Sequence, residues 1–202
     1  MLKVALTGGI ATGKTYALRR FRQLDVPTID ADDLVHDALR AGTPATKAVT
    51  EQFGAGVLDP DGGVNRKALA ARVFGDPPAR HVLEGILHPS VYQMIQRWLA
   101  DLAAGGAAMG IAAIPLLFET QHEADFDVVV VTACDPDEQV RRVVVRDATT
   151  DAEARQRMAA QMPVAEKVKR GTFVIWTRGT IQDTYAQVDA IWMALKEQAA
   201  RV

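Results

Sequence analysis

Residues 8 to 15 read Gly8-Gly9-Ile10-Ala11-Thr12-Gly13-Lys14-Thr15, a complete G-x-x-x-x-G-K-T pattern. In such a loop, glycines let successive backbone N–H groups turn inward around the phosphates of a nucleotide. The lysine reaches the β and γ phosphates, and the threonine hydroxyl ligates Mg²⁺. Gly8, Gly9, Ile10, Ala11, Thr12, Gly13, Lys14, Thr15 and the following Tyr16 are therefore the expected contacts of ATP. Lys14 would be the catalytic cation and Thr15 the metal ligand. Ala11 stands where glycine would be freer, at an expected cost of only a little loop mobility.

Two further clusters have residue types suited to phosphoryl chemistry. Asp30-Ala31-Asp32 follows an apolar run, and alternate residues of an extended segment point the same way. Both carboxylates would face the crevice at the carboxyl ends of the strands, where open α/β sheets bind ligands. An aspartate there can orient an acceptor hydroxyl and take its proton. The plain alternative is that Asp32 or Asp33 caps the helix beginning at Leu34. The third cluster is Arg141, Arg142 and Arg146, on a helix opened by Asp135-Pro136-Asp137-Glu138 with a cap, an N1 proline and acidic first-turn residues. Arg142 and Arg146 are four apart and share a face. Guanidinium forks suit charge developing on phosphoryl oxygens, while a solvated face paired with nearby acids fits the same spacing. A second helical segment, Ala152 to Met162, carries Arg155 and Arg157 and stops at Pro163, giving the helix-turn-helix size of a mobile lid.

These groups need elements to position them. The short, continuous apolar runs are Val4-Ala5-Leu6, Val26 to Ile29, Gly110 to Phe118, Val128 to Val131 and Phe173 to Trp176. They suit buried parallel strands, and they predict an α/β fold with a parallel five-stranded sheet flanked by helices. The helix spacing of Tyr16 to Phe21 places a helix N-terminus directly after the loop, adding its partial positive charge to the phosphate site. Between the second and third strands lie about eighty residues, far more than one crossover helix requires. Helices are expected there over Leu34 to Leu39, Ala45 to Phe53, Arg66 to Phe74 and Arg80 to about Ala103, with a turn at Asp59-Pro60-Asp61-Gly62-Gly63. Gly105-Gly106 reads as a helix stop. The expected organisation is a nucleotide-binding core of residues 1–32, 106–134 and 170–202, a helical acceptor-binding insertion of residues 33–105, and a lid of residues 135–169.

Composition narrows the class further. The chain has 202 residues, 49% of them hydrophobic, enough to bury one α/β core with an insertion. A formal charge of -2 and an isoelectric point near 6.1 argue against nucleic acid as the main partner. The single cysteine, Cys134, excludes an intramolecular disulfide and a multi-cysteine zinc site. As the end of a buried strand it reads as core. No stretch approaches the roughly 20 apolar residues of a membrane span, so a cytoplasmic protein is expected. Oligomeric state is not legible.

In order along the chain, six motifs resemble those of the dephospho-coenzyme A kinase family. They are Leu6-Thr7-Gly8-Gly9-Ile10, Gly13-Lys14-Thr15, Asp30-Ala31-Asp32, Leu83-Glu84-Gly85-Ile86-Leu87-His88-Pro89, Pro115-Leu116-Leu117-Phe118-Glu119, and Arg142 with Arg146-Asp147. The likeness spans about residues 2 to 190, and its later motifs are far more specific than the loop alone. It implies ATP-dependent phosphorylation of the ribose 3′-hydroxyl of dephospho-coenzyme A, the last step in making coenzyme A, with Mg²⁺, on a phosphate-loop kinase core with a helical acceptor domain and a lid. Carried over, it assigns Asp32 as the base, Thr7 near the acceptor, Arg142 on the transferring phosphate and Arg146 as the second lid arginine. His88 would sit in the acceptor domain, where a helix-terminal or packing role fits its imidazole. Glu119 would meet acceptor or Mg²⁺-bound water, or be a surface acid.

Two departures stand out. Many relatives have an aspartate where this chain has Ala113, leaving Asp30, Asp32 or Glu119 to hold the Mg²⁺ water shell. The final strand region reads Gly171-Thr172-Phe173-Val174-Ile175-Trp176-Thr177 where the family often has Ala-Asp-x-Val-Ile-x-Asn, so the choice of base near this loop is less fixed. Another phosphate-loop kinase of small molecules or nucleoside monophosphates would share the loop, acid and lid. A GTPase-type switch would need an Asn-Lys-x-Asp segment, which the chain lacks.

Overall fold

The computed structural model describes residues 1–73 and 75–201. Phe74, the expected end of one helix, and Val202, the expected end of the core, lie outside the described residues. In chain order the elements are β1 (Leu2–Gly8), α1 (Lys14–Gln23), β2 (Thr28–Asp30), α2 (Ala31–Ala38), α3 (Pro44–Phe53), α4 (Arg66–Val73) and α5 (Pro77–Ala104). There follow β3 (Met109–Ala113), β4 (Val128–Ala133), α6 (Pro136–Asp147), α7 (Asp151–Ala159), α8 (Val164–Arg170), β5 (Phe173–Trp176) and α9 (Ile181–Ala199). They divide into two compact units, residues 1–29 with 99–202, and residues 30–98. Helices α6 to α8 belong to the first.

Among the described residues the strands form one five-stranded parallel sheet in the order β2-β3-β1-β4-β5. Leu6 is in register with Ala113 on one side and Val130 on the other, and Val130 with Phe173. Every residue of β4 is buried, which is why its sequence is a continuous apolar run without alternation. One face of the sheet, with Val4, Leu6, Ile111, Val130 and Ile175, packs with Leu18, Phe21, Val188 and Leu195 of α1 and α9. The loop after β1 thus starts from a central strand flanked by β3 and β4.

The third apolar run, expected as strand to Phe118, leaves the sheet at Ala113. Pro115 has no N–H for a ladder, and the segment curls so that Thr120 N donates to Leu116 O at 3.0 Å and His122 N to Leu117 O at 3.1 Å. Leu117 and Phe118 remain buried; their apolar character reports burial rather than extension. At the end of α5, Gly106 adopts φ +78 and Ala107 N reaches back to Leu102 O at 3.0 Å, the glycine stop expected there.

In the second unit, α2, α3, α4 and the first turns of α5 enclose Leu39, Val49, Val57, Leu69 and Leu87. Thr43 caps α3 by accepting from Thr46 N at 3.0 Å, with Pro44 at N1 where its missing N–H costs nothing. The turn after Leu58 closes as Asp59 N donates to Gly63 O at 2.8 Å. Helix α5 begins three residues earlier than expected, because Asp76 accepts from Ala79 N at 2.9 Å and Pro77 opens the helix. It runs through Pro89 without a break. His88 is therefore mid-helix and half-buried, not at a helix terminus.

Candidate functional site

The phosphate loop is shaped by what its glycines exclude. A Cβ on Gly8 would lie 2.2 Å from Thr132 Oγ1, and one on Gly9 would lie 2.6 Å from Gln139 Nε2. Gly13 takes φ +86, a left-handed conformation open to glycine without penalty. Ala11 takes φ +58, where a Cβ costs about 1–2 kcal/mol. Its substitution is thus a matter of backbone strain as well as mobility. The methyl is not idle, since Ile10 and Ala11 pack on Val140, Val143 and Ala154 of α6 and α7.

From Gly9 to Thr12 the loop is fastened by side chains. Buried Thr12 donates through Oγ1 to Gly9 O at 2.8 Å and lies 2.8 Å from Thr132 Oγ1. Thr177 Oγ1 donates to Thr12 O at 3.0 Å. Ile10 is held at both polar groups: Gln139 Nε2 donates to its carbonyl at 2.8 Å, and its N–H donates to Gln161 Oε1 at 2.9 Å. Arg142 ties α6 to this stretch. Its Nη1 donates to Thr177 Oγ1 at 2.9 Å and Ala11 O at 3.3 Å, its Nη2 to Thr177 O at 2.5 Å, and its Nε to Glu138 Oε1 at 2.7 Å. The hydrogen bond from Arg141, followed by that from Arg142, lowers the Glu138 pKa to about 2.

The other half of the loop leads into a helix. Gly13 N-caps α1 without a side-chain bond, and the helix begins with Tyr16 N donating to Gly13 O at 3.0 Å. Lys14 is half-buried, and Thr15 and Tyr16 are exposed on the first turn. A helix start with its partial positive charge and an adjacent lysine and hydroxyl is a site for a phosphorylated ligand.

The remaining expected residues fall into distinct settings. Asp30, not Asp32 or Asp33, caps α2, accepting from Asp32 N at 3.1 Å; Asp32 is exposed on the first turn. Thr7 is fully buried, and its hydroxyl donates to Pro115 O at 3.3 Å. Ile10, among the expected phosphate contacts, donates its N–H to Gln161. Glu119 is drawn into the protein instead of facing solvent: Lys167 Nζ lies 2.8 Å from its Oε1, and Met162 N donates to the same oxygen at 2.8 Å. Burial lowers the pKa of Lys167, whose ammonium also donates to Pro115 O at 2.8 Å. Arg146 does not join Arg142 at the loop. It forms a two-bonded pair with Asp147 at 2.7 and 3.0 Å, and Arg157 meets the same carboxylate at 2.8 Å. Asp135 starts α6 without a capping bond and pairs with Arg178 at 2.9 Å. Cys134 is buried, its thiol pKa raised by that burial. Ala113 is a buried core methyl.

Gln139, Gln161, Thr132 and Lys167 escaped sequence reasoning. Each is a polar residue whose role is to meet a main-chain or carboxylate group distant in sequence. Lys167 in particular sits in Val-Ala-Glu-Lys-Val-Lys-Arg, which reads as an exposed charged helix.

Comparison with known proteins agrees with this geometry. Residues 2–183 match the dephospho-CoA kinase family model. A dephospho-CoA kinase of Anaeromyxobacter dehalogenans is 43% identical over 97% of this chain and 93% of its own. One of Geobacter sulfurreducens is 40% identical over 94% and 96%. The crystal structure of TT1252 from Thermus thermophilus superposes with a TM-score of 0.78 at 31% identity, covering 96% of this chain and 97% of that one. The loop, the ordered motifs and these matches over nearly the whole length agree, and the chain belongs to the dephospho-CoA kinase family.

Proposed function

We propose that this protein transfers the γ-phosphoryl group of ATP to the ribose 3′-hydroxyl of dephospho-coenzyme A, giving coenzyme A. The observation that carries the reading is the loop from Gly8 to Thr15, shaped by excluded side chains at Gly8 and Gly9 and ending on an open helix start, in a chain matched by the family over residues 2–183.

Lys14 and the amides at the start of α1 bind the phosphates and gather charge that grows on their oxygens in transfer. The exposed hydroxyl of Thr15 fits one oxygen ligand of Mg²⁺, an ion that enzymes usually hold through one or two protein groups plus substrate phosphates. When bound, Mg²⁺ neutralises phosphate charge. Asp32 is assigned to orient the acceptor hydroxyl and take its proton; it is exposed on the first turn of α2. Arg142 is assigned to the transferring phosphate and Arg146 is the second arginine of a lid formed by residues 135–169, with Arg142 already tied to the loop through Ala11 and Thr177. His88 belongs to the acceptor side of the same reading. Among the described residues no helix is long and apolar enough to cross a membrane, and a lone buried cysteine fits a reducing cytoplasm.

The test is ADP release with ATP, Mg²⁺ and dephospho-coenzyme A, run beside AMP, GMP, shikimate and gluconate. Turnover with dephospho-coenzyme A alone, with product phosphorylated at the ribose 3′ position, is the expected result. Turnover only with another acceptor would keep the phosphate-loop chemistry and discard this substrate.

A further inference from the structure

A closed circuit of hydrogen bonds joins the phosphate loop to the segment between α7 and α8. Starting at Thr7, its hydroxyl donates to Pro115 O at 3.3 Å, and Lys167 Nζ donates to the same carbonyl at 2.8 Å. Lys167, with no exposed side-chain surface, pairs with Glu119 at 2.8 Å. Glu119 accepts from Met162 N at 2.8 Å. The preceding residue, Gln161, accepts from Ile10 N at 2.9 Å, and Ile10 returns to Thr7 through three peptide bonds. One residue of this circuit, Gln161, touches the loop backbone directly, at the N–H of Ile10.

We infer that Gln161 is a positioning residue for phosphoryl transfer, acting through Ile10 to fix the phosphate loop against the returning end of the α6–α7 segment. Ile10 is the point at which both ends of that segment are pinned, by Gln139 from α6 at its carbonyl and by Gln161 from the far end at its N–H. The arginines Arg146, Arg155 and Arg157 all lie between the two pins in sequence. Releasing the second pin removes the one bond that ties the far end of that stretch to the loop backbone, while Met162 stays on Glu119 and Ala154 stays against Ile10 and Ala11. The loop and the arginines thus lose their fixed relative reach without the segment coming away. A half-satisfied backbone N–H beside the phosphates would also let the loop turn out of register. The inference rests on the kinase reading only for the identity of the acceptor.

The experiment uses Gln161→Met, which keeps length and bulk but removes the acceptor, and Gln161→Glu, which keeps an acceptor and adds charge. In Gln161→Met, kcat for coenzyme A formation is expected to fall about tenfold, the scale of one lost hydrogen bond to a part-buried amide. Its KM for ATP should stay within about twofold, while ADP released per coenzyme A formed rises. Gln161→Glu should restore that ratio and most of kcat while raising the KM for ATP, because its charge repels phosphate. Wild-type kcat and coupling in Gln161→Met, or equal defects in both variants, would overturn the inference. So would a loss of kcat that follows the folded fraction with coupling unchanged. Amide hydrogen exchange on the unmodified protein gives a readout independent of folding of the variants and of the acceptor: slow exchange at Ile10 is expected, and exchange at the rate of an open amide would overturn the pin. Should the unmodified protein hydrolyse ATP yet ignore dephospho-coenzyme A, the substrate reading fails, the exchange result still decides whether Ile10 is pinned, and the Gln161 variants are read on the acceptor that is turned over.

Discussion

The phosphate loop and the helical unit of residues 30–98 hold their shapes by opposite means. The loop from Gly9 to Thr12 is fastened by side-chain hydrogen bonds from Thr12, Gln139, Arg142, Gln161 and Thr177, most of them from far along the chain. The helical unit is held by an apolar cluster around Val49, Val57, Leu69 and Leu87, with local caps at its helix starts. Hydrogen bonds fix direction but add little net stability each, about 0.5–1.5 kcal/mol. Apolar burial supplies more free energy with less directional precision. A change in the loop should therefore alter catalysis more than folding, and a change in the helical cluster should do the reverse.

Asp32 gives that contrast its sharpest test, because it belongs to the helical unit but is exposed and assigned to chemistry. Asp32→Asn should leave the melting temperature and ATP binding nearly unchanged while reducing kcat on the order of 10²–10⁴, the scale of general-base assistance. Steady-state kinetics with ATP titration checks this, and unchanged turnover would remove Asp32 from the mechanism. Leu69→Ala is the complementary case. Leu69 is 4% exposed in the cluster, and its truncation should cost about 2–5 kcal/mol of unfolding free energy, read from the denaturant midpoint. Activity per folded molecule should change little. A large loss of kcat at full folding would show that the cluster also shapes the acceptor site.

Solution pH probes the fastening of the loop. Glu138 has its folded pKa lowered to about 2 from an ordinary 4.5, so its ionised form is favoured by folding. The stabilisation is complete above 4.5 and is lost as pH falls from there through about 2. Protonation would loosen the grip of Glu138 on Arg142 and, through it, on Ala11 and Thr177. Wild-type melting temperature should drop more steeply than that of Glu138→Gln over this interval, and parallel curves would show that the pair contributes nothing to folding.

How much of this was legible in the sequence follows from the same contrast. Residues whose type is dictated by backbone geometry announced themselves: Gly8, Gly9 and Gly13 in the loop, Gly106 at the end of α5, and Pro136 at a helix start. The central strands β1, β3 and β4 were visible because parallel strands buried on both faces are continuous apolar runs; β2 and β5 show the same kind of run although they are only partly buried. The third run misled by five residues, since Leu117 and Phe118 are buried in a turn after Pro115, and burial alone does not distinguish strand from turn. Side chains that serve distant backbone left no pattern. Gln139 and Gln161 look like surface glutamines until Ile10 is placed between them, and Glu119 looks like a free acid until Lys167 is buried against it. Arg142 and Arg146, four apart on one helix, were expected to share a face as first and second lid arginines; the fold gives the first to the loop and the second to Asp147.

Ala11 is where backbone geometry and packing meet, and it predicts the smallest effect. At φ +58 its side chain costs about 1–2 kcal/mol relative to glycine. Glycine would relieve that strain but bring about 0.5–1 kcal/mol of extra chain entropy to lose on folding. It would also forfeit contact of the methyl with the cluster of Val140, Val143 and Ala154, at most about 0.8 kcal/mol for one buried carbon. These contributions nearly cancel, so Ala11→Gly should shift unfolding free energy by less than about 1 kcal/mol. Urea denaturation checks the sum, and stabilisation well beyond that range would mean that the methyl contributes nothing to packing. The catalytic consequence separates the two contributions. If the methyl holds the loop against α6 and α7, Ala11→Gly should raise acceptor-independent ATP hydrolysis even where stability is unchanged; if it is only strained, hydrolysis should stay at the wild-type rate.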